Sequence, residues 1–184
     1  LQRKRKGVVR KVDKKLTAMK SNAQGHLFED LIKMACGYYR ERGKAIIEKM
    51  PEPFRVLKKD RNRGTALIQF TAHAQPDFIG TLKNGKTIIF EAKCTLTDRL
   101  KQDIITDTQR KALEQHFSMG AFVGVCAGIK DNYYFIPWAV WRDMKNLYGH
   151  KYMTATEAEK YKVRFTGNGV MFLDLIERGV KYGN

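Results

Sequence analysis

The chain has 184 residues, of which 43% are hydrophobic and 29% charged. That is the composition of one globular domain able to bury a core without disulfides or a structural metal. No apolar run approaches the ~20 residues of a membrane span, and no apolar core follows the basic start as a signal peptide requires. Lys and Arg number 35 against 19 Asp and Glu, a net charge of +16. Such an excess points to a polyanion, most often nucleic acid. Cys36, Cys94 and Cys126 are far apart and form no CxxC or Cys/His motif, which argues against zinc and a disulfide framework and suits a reducing cytoplasm. His26, His73, His116 and His150 show no metal-ligand spacing.

Residues 1–20 carry nine basic side chains and one acid, Asp13. Arg3, Lys4, Arg5, Lys6, Arg10 and Lys11 lead this run, which lacks apolar periodicity. It reads as an arm that is disordered until it grips phosphates, ahead of a single domain over 21–184. Ser21 or Asn22 is a candidate cap for a helix reaching about Arg42. Its apolar stripe is Leu27, Phe28, Leu31, Ile32, Ala35, Tyr38 and Tyr39, and Gly43 ends it. Ala45, Ile46 and Ile47 suggest a first strand, broken by Pro51 and Pro53. Residues 54–74 suggest a protruding hairpin, with Lys58, Lys59, Arg61 and Arg63 in its charged turn.

Phe78–Leu82 and Lys86–Cys94 flank Asn84-Gly85, a strong hairpin signal. Thr106 and Gln109 form a capping box that opens a helix through Phe117, stopped by Gly120. Ala121–Ile129 is almost wholly apolar, as a buried central strand should be. After a turn at Asp131-Asn132 comes Tyr133–Ile136, and residues 138–147 and 154–161 look helical. Trp138 and Trp141, at helical spacing, suit core packing or a dimer interface better than base stacking. The order is that of an α/β sandwich around a mixed sheet.

Chemistry concentrates in the Asn84-Gly85 hairpin. Glu91 and Lys93 share one face of their strand, with Ala92 on the other. A two-residue loop would turn Asp77 away from Glu91. A three-residue loop, Lys83-Asn84-Gly85 with Gly85 left-handed, pairs Asp77 with Glu91, Phe78 with Phe90, Ile79 with Ile89 and Thr81 with Thr87. These like-with-like pairs favour the second register. It sets two carboxylates side by side with an ammonium one pleat away. A hard divalent ion resolves their repulsion, and its water is a nucleophile for a phosphodiester. A bare Glu-x-Lys is common; Pro76-Asp77 upstream, the register and the charge give it meaning.

Pro76-Asp77 followed by Glu91-Ala92-Lys93 resembles the PD-(D/E)XK nucleases. Gly25-His26-Leu27-Phe28-Glu29, Tyr38-Tyr39, Ala45-Ile46-Ile47, Pro51-Glu52-Pro53, Phe90 to Thr95 and Thr108-Gln109 narrow the resemblance to the RecU-type Holliday-junction resolvases, across residues 20–140. Here Cys94 replaces the acid that the family has after the lysine. The resemblance implies a restriction-endonuclease-like mixed sheet flanked by helices, with a stalk hairpin. It implies a homodimeric, Mg²⁺-dependent endonuclease, with Mn²⁺ able to substitute, that nicks opposed strands of four-way junction DNA in a bacterial or phage-infected cell. It carries no membrane role and no nucleotide cofactor.

On that resemblance Asp77, Glu91 and the Ala92 carbonyl are metal ligands, and Lys93 is the catalytic lysine. The helical wheel leaves both Glu29 and Asp30 able to reach the site; the resemblance selects Glu29 as an outer ligand. Gln109 contacts the metal water or scissile phosphate, or serves only its capping box. Thr95, the arm and the Lys58–Arg63 segment are DNA-binding candidates. Two other readings remain: another nuclease of this superfamily cutting duplex DNA, and a non-catalytic junction-binding protein.

Overall fold

The computed structural model describes residues 2–51, 53–71 and 75–177, with side chains from Met19 onward except at Ser21, Phe70 and Glu177. Helix α1 runs over Gln2–Glu41 and is followed by β1 (Ala45–Lys49). A hairpin of β2 (Phe54–Asp60) and β3 (Thr65–Phe70) comes next. Then come β4 (Phe78–Leu82), β5 (Thr87–Thr95), β6 (Arg99–Lys101) and α2 (Asp107–Ser118). After these lie β7 (Phe122–Ile129), β8 (Asn132–Pro137), α3 (Trp138–Arg142) and α4 (Met144–Tyr148). The chain closes through β9 (Tyr152–Thr154), α5 (Ala155–Ala158), β10 (Phe165–Thr166), β11 (Gly169–Val170) and α6 (Asp174–Glu177).

The main sheet has five strands in the order β1-β4-β5-β7-β8. Its pairs are antiparallel except β5 with β7. A parallel pair needs a crossover, and α2 supplies it. Every residue of β7 is buried, which fits its unbroken apolar sequence. Cys94 and Gly128 are register partners, and a Cβ at Gly128 would lie 3.0 Å from Cys94 Cβ and 3.6 Å from Phe28. So α1 covers the Cys94 face. Glu91, on the opposite pleat, meets α2 through Gln109.

Under α1 the apolar stripe is packed as Phe28, Ile32, Ala35, Cys36 and Tyr39, while Leu27 stays 62% exposed. Phe78 and Phe90 stack with centroids 5.0 Å apart, and Phe90 also meets Phe172 at 4.9 Å. Each such ring contributes about 1.5–3 kcal/mol by leaving water. This aromatic layer lies directly beside the pleat that carries Glu91. The Tyr39 hydroxyl accepts the Leu173 N–H at 3.1 Å, tying the C-terminal segment onto α1.

Several elements depart from the sequence expectation. The helix expected from Ser21 or Asn22 begins at Gln2, so the segment expected to be disordered is helical. The arm has no proline and is rich in Lys, Arg and other good helix formers, and extending an existing helix needs no new nucleus. The arm side chains Arg3, Lys4, Arg5, Lys6, Arg10 and Lys11 lie outside the described residues, as does His73. The expected helix over 138–147 is two short helices divided at Asp143, and 154–161 is α5 followed by a 3-10 turn. The turn before β8 is at Lys130-Asp131, with Lys130 at φ 54°. The small pairs β6–β9 and β10–β11 have no counterpart in the sequence expectation.

The 54–74 hairpin is present: β2 pairs only with β3, and every β2 residue is exposed. Its last residues, 72–74, lie outside the described set. Gly80 allows β1 to seat against β4, since a Cβ there would sit 2.1 Å from the Ile46 carbonyl oxygen and 2.5 Å from Ile47 Cα. Gly80→Ala should therefore cost about 3 kcal/mol in urea unfolding, at the upper end for overpacking. A loss under about 0.5 kcal/mol would show that β1 yields freely.

Candidate active site

The β4–β5 hairpin sets the site. Its ladder pairs Phe78 with Phe90, Ile79 with Ile89 and Thr81 with Thr87. The Leu82 N–H donates to the Lys86 carbonyl at 2.9 Å, and Gly85 closes the turn at φ 81° with its N–H on the Leu82 carbonyl at 2.8 Å. Lys83-Asn84-Gly85 is thus a three-residue loop with a left-handed glycine, the register expected from the like-with-like pairs. Asp77, immediately before β4, is carried to the Glu91 end of β5. Its Oδ2 accepts the Ala92 N–H at 2.9 Å. The Met50 N–H donates to the Asp77 carbonyl at 2.9 Å, so the end of β1 also holds this residue.

Four expected residues converge. Lys93 Nζ donates to Glu91 Oε2 at 2.7 Å and to Asp77 Oδ2 at 3.1 Å. Gln109 Nε2 donates to Glu91 Oε2 at 2.7 Å. The Gln109 side chain also closes the capping box expected with Thr106. Glu91 is fully buried, whereas the side chains of Lys93 and Asp77 are 17% and 20% exposed.

Burial pushes the Glu91 carboxyl up to about 8, and the neighbouring Asp77 charge adds to this against the pull of Lys93. Burial acts on Asp77 in the same direction, but the Lys93 ammonium and the Ala92 N–H outweigh it and hold Asp77 below the usual carboxylate range. Burial opposes the Lys93 charge, yet the two carboxylates raise it above an ordinary lysine. A proton on this pair is therefore favoured on Glu91 over Asp77.

Glu29 does not join this pair directly. Its carboxylate is bound by Lys49 at 3.0 Å. Lys49 ends β1 opposite Phe78, the residue after Asp77. Glu29 is close enough to Cys94 to help burial raise the thiol. Sequence reasoning missed Lys49, because a lysine at a strand end before a proline carries no distinguishing signal.

Thr95 ends β5, where its hydroxyl accepts the Thr97 N–H at 3.1 Å. Lys58 and Lys59 lie on exposed β2, and Arg61 and Arg63 are in the turn beyond it. Asp60 caps that turn, accepting the Asn62 and Arg63 N–H groups at 3.1 and 3.2 Å.

Asp77, Glu91 and the Ala92 carbonyl suit a hard divalent cation. Glu91 Oε1 is buried and has no hydrogen-bond partner, the condition of an oxygen left for a cation. Among the described residues no group of three or more His, Cys, Asp or Glu side chains converges, so water would complete such a set.

A Pro-Asp before one strand and Glu-Ala-Lys on the next, joined by a lysine bridge, is the arrangement expected from the resemblance to the PD-(D/E)XK nucleases. The Recombination protein U family model matches residues 23–178. The chain belongs to that family of Holliday-junction resolvases, hence of nucleases. It is also similar to the solved structure of Hjc from Archaeoglobus fulgidus, a Holliday junction resolvase from an archaeal hyperthermophile. The identity is 11% over 73% of this chain and 92% of Hjc, with a TM-score of 0.45. No curated protein sequence matches the chain. Among the described residues no helix is long and apolar enough to cross a membrane.

The raised Glu91 group has a consequence for the metal-free protein. Its stabilisation is complete below pH ~4.5, the usual value for Glu, and is lost as pH rises through about 8. Glu91→Gln does not titrate, so its melting temperature should gain on the wild type as pH rises from 5 to 9. Thermal melts in EDTA check this; a pH-independent difference would place Glu91 in water.

Proposed function

We propose that the chain is a divalent-cation-dependent endonuclease that resolves four-way DNA junctions by paired, symmetric nicks. The observation that carries it is the Asp77–Lys93–Glu91–Gln109 cluster in a chain of the resolvase family. Asp77 and Glu91, with the Ala92 carbonyl, would hold Mg²⁺, with Mn²⁺ able to take its place. That ion, when bound, acidifies water and stabilises negative charge at phosphorus. Lys93, kept as an ammonium, donates a hydrogen bond that orients the attacking water or a phosphate oxygen. Gln109 holds Glu91 in place. Glu29, braced by Lys49, is the outer carboxylate at the α1 flank of the site.

The hairpin cations Lys58, Lys59, Arg61 and Arg63 stand free of the core, as needed to enter the centre of a junction. The basic start of α1 and Thr95 add phosphate contacts. Two opposed strands require two sites related by a two-fold axis, which a homodimer supplies. The reaction belongs in the cytoplasm of a bacterial or phage-infected cell, where recombining DNA and reduced thiols are found.

Cleavage of a labelled four-way junction beside its linear arms tests this reading. Wild-type protein should make paired nicks in the junction with Mg²⁺ and none in EDTA. Asp77→Asn should slow cleavage roughly a thousandfold, about 4 kcal/mol of transition-state stabilisation, and still bind the junction. Equal cutting of linear duplex would contradict junction selectivity, and full activity in Asp77→Asn would remove Asp77 from the reaction.

Removing residues 1–20 should weaken junction binding and flatten its salt dependence. The log–log slope should fall by about 0.9 for each phosphate that the arm no longer neutralises. An unchanged slope would make the arm a bystander.

A further inference from the structure

We propose that Thr106 is a positioning residue for the candidate cation site, acting through Gln109 on Glu91. The inference rests on the reading of Asp77 and Glu91 as cation ligands. A Gln amide has two unlike ends, and its function here depends on which end faces Glu91. Gln109 Oε1 accepts the Thr106 N–H at 3.1 Å and the Thr106 O–H at 3.2 Å. The Thr106 hydroxyl accepts the Gln109 N–H at 3.3 Å in return. With its oxygen held at the helix start, the amide must turn its NH₂ toward Glu91 Oε2, which it reaches at 2.7 Å. Turned half a revolution, it would set NH₂ against the Thr106 N–H and an oxygen against the Glu91 carboxyl.

The effect continues to the cation site. Gln109 and Lys93 both donate to Glu91 Oε2, and that leaves Oε1 as the buried oxygen without a partner. The capping box of α2 therefore does more than start a helix. It fixes which oxygen of Glu91 is saturated and which remains for a cation. Lys93, on the same strand, cannot do this alone, because its ammonium is divided between Glu91 and Asp77.

Thr106 is exposed, so replacing it leaves the core intact. Thr106→Val keeps the branched shape and loses the hydroxyl, whereas Thr106→Ser keeps the hydroxyl. Lys111→Gly weakens the same helix from its exposed face, away from the site. Mg²⁺ binding to each full-length protein is measured by calorimetry, beside its melting temperature and its junction cleavage at limiting and excess Mg²⁺. Thr106→Val should raise the Mg²⁺ midpoint roughly tenfold, with cleavage recovered by excess Mg²⁺. Thr106→Ser should match the wild type, and Lys111→Gly should lower the melting temperature without moving the midpoint. An unchanged midpoint in Thr106→Val, or an equal shift in Lys111→Gly, would overturn the assignment of Thr106 and leave the cation site standing. Wild-type protein that binds no Mg²⁺ would overturn the cation site itself, and the role of Thr106 with it.

Discussion

Two carboxylates cannot both stay ionised when a hairpin sets them side by side out of water. Asp77 and Glu91 are in that position, and the protein meets the conflict with Lys93 between them and a proton on Glu91. The arrangement costs stability that a purely structural ion pair need not. Glu91 is fully buried and leaves one oxygen without a partner, and an apolar residue there would pack without either penalty.

The rest of the fold keeps those groups from moving apart. Asp77 is held by the Ala92 and Met50 N–H groups, one from each neighbouring strand. The Phe78–Phe90 stack locks the register one residue away, and a one-residue slip would send Glu91 to the opposite face. The fully buried β7 backs β5, and α2, which bridges them, delivers Gln109 to Glu91. Strands and a capped helix thus carry the chemistry, while the exposed β2–β3 hairpin carries charge outward on its own two-stranded sheet. The buried cluster and the exposed cationic hairpin are thus separated in the architecture.

How much of this could be read from residues alone depended on local signals. The Asn84-Gly85 turn and identical cross-strand pairs defined the register, and the register placed Asp77, Glu91 and Lys93. The Thr106–Gln109 box and the apolar run of β7 were equally plain. Three things were hidden. The link between Gln109 and Glu91 spans 18 positions, so a capping box and an active-site contact looked like alternatives. Lys49 became visible only when α1 packed on β1 and brought Glu29 to it. The pairs β6–β9 and β10–β11 are two or three residues long, too short for periodicity, and tertiary contacts alone create them. The helix expected over 154–161 is cut short: a Thr154–Glu157 capping box opens α5, which ends at Ala158 and passes into a 3-10 turn.

On the proposed reading, Glu91 holds its proton more tightly than an ordinary glutamate and gives it up to a cation. The measurement that tests it is a pH titration of the Glu91 carboxyl by ¹³C NMR, assigned through Glu91→Gln, without metal and with Mg²⁺. Without metal the carboxyl should titrate near pH 8, and with Mg²⁺ it should already be ionised at pH 7. Titration at the ordinary glutamate value of ~4.5 in both conditions would contradict the claim.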